Sequence, residues 1–400
     1  MRERLHFFLL NVGHFLDHLF TLIFATVAAL ALNREWGLGY ADLLKYATPG
    51  FFAFGVFALP AGWLADKWSR DGMMSVFFVG IGLASICTGF ARTPFELALG
   101  LFVLGSFAAI YHPVGLAIVV EKWKNTGMRI AVNGVWGNLG VASAALITGY
   151  FIDHGGWRSA FFVPGVLSIL IGAGYTVLRW SEISQRRPRQ AAKLPAQDLP
   201  ADVKAVLLRV SMIVFLTTAV SSIVFQSTTF ALPKVFDERL SGVAISATAL
   251  GQLAFLVFAL ASIGQLIVGH FLDRLGPRTV FMTAAALQVG FFILMPGLVD
   301  WAALLCAMGF MLAAFGQIPI NDYMIGRLAD GQWRARIYGV RYVVSFTVLA
   351  AALPLIAFIY ENWGFDALFR VLALSAAIIL AAVSLLPQRL PVASEALARA

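Results

Sequence analysis

The chain has 400 residues, of which 60% are hydrophobic and 12% are charged. Soluble domains average about 45–50% apolar and about 25% charged residues, so this composition excludes an ordinary water-soluble domain. The net charge of +8 is spread over short loops between apolar stretches, and we therefore expect no nucleic-acid partner.

Apolar stretches of about 20 residues, the length that crosses a bilayer as a helix, recur along the whole chain. We predict twelve transmembrane helices, over residues 6–32, 41–65, 72–91, 94–121, 129–153, 158–180, 205–235, 243–272, 277–299, 301–327, 334–360 and 364–387. Lysine and arginine concentrate in alternate loops, and such loops are typically cytoplasmic. The sequence therefore predicts an integral, multi-pass, all-α membrane protein with both termini in the cytoplasm.

The second half of the chain repeats the first. The string GWLADKWSR at residues 62–70 lies between helices 2 and 3, and GHFLDRLGPR at residues 269–278 lies 207 positions later, between helices 8 and 9. A polar segment rich in arginine, glutamine and proline separates the halves. We predict an N-terminal six-helix bundle (1–180), a cytoplasmic linker (181–204) and a C-terminal six-helix bundle (205–400). Parallel repeats of this kind are typical of membrane transporters.

The first string resembles the G-x-L-A-D-K-x-x-R loop motif of the major facilitator superfamily, with departures at Ser69 and Asp71. The resemblance implies the major facilitator fold, a central cavity, alternating access and a bacterial inner membrane. The loop carboxylates are expected to contact arginines or helix N-termini in one conformation only. The predicted gating residues are Gly62, Asp66, Arg70, Gly269, Asp273, Arg274 and Arg278.

A narrower resemblance lies in helices 4 and 5. The strings IYHP at residues 110–113 and WGNLG at residues 136–140 are similar to those of the fosmidomycin-resistance type of efflux proteins. This resemblance implies a proton-driven exporter.

Helix 1 carries a group of polar residues on one face. At about 100° per residue, the group falls within roughly a third of the helix circumference. It consists of Asn11, His14, Asp17, His18 and Thr21. Ionisable groups at membrane depth cost several kcal/mol unless they face protein or water, so they indicate a functional site. Helix 4 runs in the opposite direction and places His112 at a similar depth, beside Pro113.

Three hypotheses account for this group. In the favoured one, Asp17 and the histidines relay protons, because histidine titrates near neutral pH. In the second, His14, Asp17 and His18 share a transition-metal ion, with His112 completing the site. In the third, the residues only form hydrogen bonds that fix helix packing.

Other polar residues are predicted to line the same cavity. Asp322 and Arg341 form a candidate ion pair, which would lower the cost of burying both charges, and they join Tyr111 as candidates for proton coupling or substrate binding. The remaining candidates for the substrate cavity are Asn11, Thr21, Asn133, Trp136, Asn138, Ser222, Gln226, Thr229, Gln317 and Asn321.

These observations predict a secondary active transporter that exports a small organic or amphiphilic compound in exchange for protons. The alternatives are a transporter of divalent transition metals or metal chelates, and a uniporter or channel. The chain contains no Gly-x-Ser-x-Gly, His-Glu-x-x-His or Gly-Lys-Ser/Thr motif, so we expect neither an enzyme nor an ATP-driven pump. We expect a monomer in the bilayer with no cofactor, driven by the proton gradient.

Overall fold

The computed structural model describes residues 1–123, 126–184, 201–328 and 331–387, and the regular elements of these residues are all helices. Within these helices, the side chains of residues 126, 127, 201–207, 273, 322, 325–328 and 331–342 lie outside the description. The first ten helices are α1 (Arg2–Glu35), α2 (Tyr40–Lys67), α3 (Arg70–Gly89), α4 (Pro94–Lys122), α5 (Thr126–Gly155), α6 (Ser159–Ser184), α7 (Ala201–Arg239), α8 (Ala247–Leu275), α9 (Pro277–Leu294) and α10 (Asp300–Leu328).

The last helical stretch, Gly331–Ser384, contains two helices. Its apolar part, Val343–Ser384, has 42 residues, which at about 1.5 Å per residue is roughly twice the thickness of a bilayer core. Gly364 breaks it with a φ of 72°, which glycine adopts at no steric cost. We therefore number residues 331–363 as α11 and 365–384 as α12. Eleven continuous stretches of the described chain can cross a membrane, and the break in the last one confirms the predicted twelve helices.

Short polar turns separate the helices. The Ser69 hydroxyl accepts a hydrogen bond from the Gly72 amide at 3.1 Å and caps the start of α3. Thr93 caps α4 in the same way, just before Pro94. Serine and threonine are preferred at these positions because they satisfy amides that have no partner within the helix. The departure from the family motif at Ser69 therefore has a local structural reason.

Helix α4 is interrupted in the middle of the predicted span, next to Pro113, where the sequence predicts a loosened helix. Ala109 and Ile110 form a turn, and the second part of the helix begins at Tyr111. Pro113 has no amide hydrogen to bond the carbonyl of Ala109, which explains the interruption. Helix α9 also ends earlier than predicted, at Leu294 rather than residue 299, because the chain turns through Gly297 at φ 75°.

The helices pack as two bundles that meet along two seams. In the first bundle α3 packs on α6, α1 on α5, and α2 on α4; in the second, α8 and α9 both pack on α10. The seams are formed by α5 with α8 and by α2 with α11. At the first seam the backbones nearly touch: a Cβ on Gly251 would lie 2.5 Å from the carbonyl oxygen of Ala145.

We call the end of the bundle that carries Arg2 and Leu385 the terminal face, and the other end the distal face. At the distal face, the Asp153 carboxylate of α5 accepts hydrogen bonds from the Thr248 amide (2.7 Å) and hydroxyl at the start of α8. Lys45 of α2 lies 3.8 Å from Glu361 of α11. These contacts join the two bundles at the distal face.

Candidate functional site

Four ionisable side chains from α1 and α4 meet inside the first bundle. They are His14, Asp17, His18 and His112, which we call the imidazole–carboxylate centre. The ring centroid of His14 lies 5.0 Å from that of His18 and 5.3 Å from that of His112, and the centroids of His18 and His112 lie 5.5 Å apart. The structure thus brings together the four residues that the sequence placed at one depth.

Asp17 is the most deeply buried member of the centre. Its side chain is 0% exposed, and its Oδ2 lies 3.3 Å from Nε2 of His112. Within the described residues, neither carboxylate oxygen makes a hydrogen bond. A buried carboxylate without donors is strongly unfavourable unless a proton or a cation neutralises it. The site is therefore suited to hold one of these.

His14 is held in a single orientation. Its Nδ1 lies 2.8 Å from the backbone carbonyl oxygen of Asn133 on α5, and because a carbonyl can only accept, we assign the proton to Nδ1. The Nε2 atom then presents a lone pair when the ring is neutral. This buried atom has no hydrogen-bond partner in the described chain. Gly137 covers the face of the ring, where a Cβ would lie only 2.6 Å from Nε2 and 2.7 Å from Cε1.

A network of uncharged groups supports His14. Asn133 Nδ2 donates to Oδ1 of Asn11 (2.9 Å) and to the Tyr111 hydroxyl (2.8 Å), and that hydroxyl donates to the Leu10 carbonyl (2.8 Å). The Tyr111 ring stacks on His14 with centroids 4.8 Å apart. Asn11, Asn133 and Tyr111, which the sequence suggested as cavity or coupling residues, thus position the histidine.

Phenylalanines border the centre, and the sequence analysis did not single them out. The ring centroids of Phe54 on α2 and Phe346 on α11 each lie 5.9 Å from that of His112, and they lie 4.5 Å from each other. An apolar recess beside them is lined by Phe20, Thr21, Phe24, Ala47, Gly50, Phe51, Phe54, Leu101, Leu104, Gly105 and Phe230. Of the predicted cavity residues, Thr21 lies there. The chain contains 34 phenylalanines, so no sequence pattern distinguishes these few.

The candidates in the second half form hydrogen bonds within their own bundle. Gln317 accepts from the Ser221 hydroxyl (2.8 Å) and donates to Gln288 (3.0 Å). Ser222 and Thr229 donate to carbonyls of their own helix.

Two further candidates in this half, Gln226 and Asn321, are buried. Each has a side-chain atom without a partner among the described residues. Asp322 and Arg341 lie outside the described side chains, so their predicted pairing stays a prediction. In α5, Trp136 packs edge-on against Phe8 at 5.5 Å, whereas Asn138 is buried.

The arginines of the two loop strings make different contacts. In the first, Arg70 bridges Asp66 (2.7 Å) and Glu121 (2.9 Å), tying the ends of α2, α3 and α4 together. A Cβ on Gly62 would meet Pro113 at 3.4 Å.

In the second string, Arg278 donates to the carbonyl of Ser384 (2.8 Å) and Arg274 is exposed. Nothing lies within 4 Å of a Cβ built on Gly269. The Asp273 side chain lies outside the description.

The sequence model of the Major Facilitator Superfamily matches residues 10–247 and 214–399 of the chain. The chain belongs to the Major Facilitator Superfamily. This membership confirms the recognition made from the loop motif, and it places the chain in a family of transporters rather than among enzymes.

Individual proteins that resemble the chain share only 25–29% of the aligned residues with it. The gallate transporter of Pseudomonas putida is 26% identical over 43% of this chain and 38% of its own length. The puromycin resistance protein pur8 of Streptomyces alboniger is 29% identical over 44% of this chain and 34% of its own length. The 4-hydroxybenzoate transporter PcaK of Pseudomonas putida is 25% identical over 72% of this chain and 68% of its own length. The match therefore spans less than two fifths of the length of each of the first two relatives.

Solved structures share the fold at low sequence identity. A bacterial homologue of the human lysosomal transporter Spinster, in an inward-facing and unoccupied conformation, has a TM-score of 0.68 at 15% identity and covers 96% of this chain and 95% of its own. A peptide transporter POT has a TM-score of 0.74 at 15% identity and covers 94% of this chain and 93% of its own. These similarities confirm the all-α major facilitator fold and show the fold alone.

A second buried network in this superfamily member was missed at the sequence level. Asp71 accepts hydrogen bonds from Tyr175 (2.7 Å) and from Arg179 (3.1 and 3.2 Å), and it lies 3.1 Å from Nε2 of His6. Lys122 lies 3.3 Å from Nδ1 of His6. Asp71, a departure from the family motif, thus joins α1, α3 and α6 near the terminal face. The available signal was Arg179, a charged residue inside an apolar helix.

Proposed function

We propose that this protein is a secondary active transporter that carries a small solute across the bacterial cytoplasmic membrane, with protons as the coupling ion. The observation that carries the proposal is the state of Asp17. It is fully buried, it lies 3.3 Å from an imidazole nitrogen of His112, and in the described chain neither of its oxygens receives a hydrogen bond.

The chemistry of the centre suits proton exchange. A bare carboxylate at membrane depth costs several kcal/mol, so the buried Asp17 holds a proton in this conformation. The neighbouring His112 side chain is 13% exposed, so water can contact the edge of the site. Opening the cavity to one face hydrates the carboxylate and allows the proton to leave. Solute entry then competes with reprotonation.

Alternating access follows from the two bundles and their seams. Basic residues such as Arg2, Arg70 and Lys122 lie at the terminal face, and the bias of lysine and arginine toward cytoplasmic loops supports placing this face, with both termini, in the cytoplasm. The contacts of Asp153 with α8 and of Lys45 with Glu361 then close the outer side. These contacts must break when the outer side opens.

The solute is proposed to be a small organic or amphiphilic compound, exported in exchange for protons. The phenylalanines beside His112 support an apolar or aromatic body. Relatives named as transporters of gallate and 4-hydroxybenzoate, and one named for puromycin resistance, support organic solutes in general. We propose a monomer in the bilayer that needs no cofactor besides the gradient.

The test begins with a thermal-shift screen of aromatic acids, antibiotics and amphiphiles on the purified protein. A stabilising solute is then followed in proteoliposomes under an imposed pH gradient. We expect flux that the gradient drives and a protonophore abolishes.

In the variant Asp17→Asn, which keeps the shape of the side chain, flux should lose its dependence on the gradient. Glu96→Gln is the control, because Glu96 is an exposed carboxylate in the first turn of α4 that accepts a hydrogen bond from the Arg92 amide, and it should behave as wild type. Gradient-driven flux in Asp17→Asn at the wild-type level would refute the coupling role.

A further inference from the structure

We propose that the imidazole–carboxylate centre also binds one divalent transition-metal ion, of which Zn²⁺ is representative, with His14, His18 and His112 as ligands and Asp17 as the adjacent negative charge. The inference rests on the proposed function in one respect: metal ion and proton occupy the same centre and therefore compete.

The spacing of the ligand atoms fits such an ion. One ring nitrogen from each of His14, His18 and His112 lies within 4.8 Å of the other two. Zinc–nitrogen bonds of about 2.0–2.1 Å in a tetrahedron place neighbouring ligands about 3.3 Å apart. The Asp17 oxygen already lies 3.3 Å from Nε2 of His112. His18 and His112 are not fully buried, and a rotation of either ring would bring the three nitrogens closer together.

His14 has the outer partner that a metal ligand requires. Histidines that bind metals almost always donate their other ring N–H to a carbonyl or carboxylate, which fixes the ring and raises its basicity. His14 does this through Nδ1 and the Asn133 carbonyl at 2.8 Å. Its Nε2 is buried, and no group in the described residues bonds it. Gly137 packs over the face of the ring, where a Cβ would lie 2.6 Å from Nε2 and 2.9 Å from Cδ2, so it does not occupy the in-plane direction of the Nε2 lone pair.

Asp17 supplies the negative charge. A set of three imidazoles and one carboxylate suits zinc, cobalt, nickel or copper, whereas magnesium and calcium prefer oxygen ligands alone. A purely structural cluster would be expected to satisfy its buried polar atoms internally. Here Nε2 of His14 and both oxygens of Asp17 have no hydrogen-bond partner among the residues described.

The test is calorimetric titration of the purified protein, carrying a tag without histidine, with ZnCl₂ at pH 7.5 in a non-chelating buffer. We expect one ion per chain. His18→Ala should weaken binding by at least about tenfold. His154→Ala, which removes an exposed histidine of α5, should bind as wild type.

A second variant and a second measurement guard against misfolding. His18→Phe keeps a ring of similar shape without a ligand atom, and it should also lose zinc while eluting as a monodisperse protein. The visible absorption spectrum of Co²⁺ in the wild type should show nitrogen ligation that both His18 variants lack. Equal zinc affinity in the His18 variants and His154→Ala, or no zinc binding by folded wild type, would overturn the proposal.

The two proposals fail separately. If folded wild type binds no zinc but its flux follows the pH gradient through Asp17, only the metal site is wrong. If zinc binds through His18 but Asp17→Asn keeps gradient-driven flux, the metal site stands and the proton role of Asp17 is wrong.

Discussion

Replacing Gly137 by alanine tests whether α5 presses on His14 as the structure shows. A Cβ at this position would lie 2.6 Å from Nε2 of His14 and 2.7 Å from Cε1. The ring cannot withdraw freely, because Tyr111 stacks on it at 4.8 Å and the Asn133 carbonyl holds Nδ1 at 2.8 Å. Gly137→Ala must therefore displace either the imidazole or helix α5.

The expected effect on stability can be worked out against a control on the same helix. Overpacking costs about 1–3 kcal/mol, and the loss of the histidine hydrogen bond costs about 1 kcal/mol more. Alanine in place of glycine inside a helix returns up to about 1 kcal/mol. Gly137→Ala should thus lower the free energy of unfolding by about 1–3 kcal/mol. Gly134→Ala, whose Cβ meets nothing within 4 Å, should leave it unchanged or raise it.

The assay is thermal unfolding of the two purified variants in the same detergent, with gradient-driven flux as a second readout. Gly137→Ala should unfold at a lower temperature than Gly134→Ala and show slower flux, because His14 is moved out of the centre. Equal unfolding temperatures and equal flux would refute the packing of α5 on His14.

Two further predictions concern charged contacts. Asp71→Asn should destabilise the protein by about 1–3 kcal/mol, because it weakens the hydrogen bonds that buried Tyr175 and Arg179 donate to the carboxylate, although Glu182 still pairs with Arg179 at 3.0 Å. Thermal unfolding should show a smaller loss for Asp66→Asn, whose exposed ion pair is worth less than about 1 kcal/mol, and similar losses would contradict this. Asp153→Ala should weaken the contact with the start of α8 by about 1 kcal/mol. Spin labels at the exposed positions Tyr150 and Ile245 should then report longer distances between α5 and α8, and an unchanged distance distribution would argue against closure by Asp153.

Much of the fold could be predicted from the sequence because the bilayer restricts what the chain can do. Each crossing needs a long apolar helix, so the crossings and the repeat are visible as hydropathy and as two similar loops. The breaks were harder to locate. Pro113 identifies the carbonyl of Ala109 as the one that loses its partner, but Pro164 lies inside a helix that stays continuous, so the sequence does not show which proline interrupts its helix. In the last stretch, Gly364 marks the boundary that separates α11 from α12.

The candidate site could be predicted only in part. Helical periodicity placed His14, Asp17 and His18 on one face, and counting along α4 gave the depth of His112. The partners of His14 could not be predicted, because they depend on how α5 packs against α1. Asp71 and Arg179 are 108 positions apart, and nothing local in the sequence connects them.

The most direct test of the account is proton release on solute binding. The purified protein, in a weakly buffered solution with a pH indicator, is mixed with the stabilising solute. We predict that wild type releases protons and that Asp17→Asn releases none although it still binds the solute. Equal proton release from both proteins would contradict the claim that Asp17 holds the coupled proton.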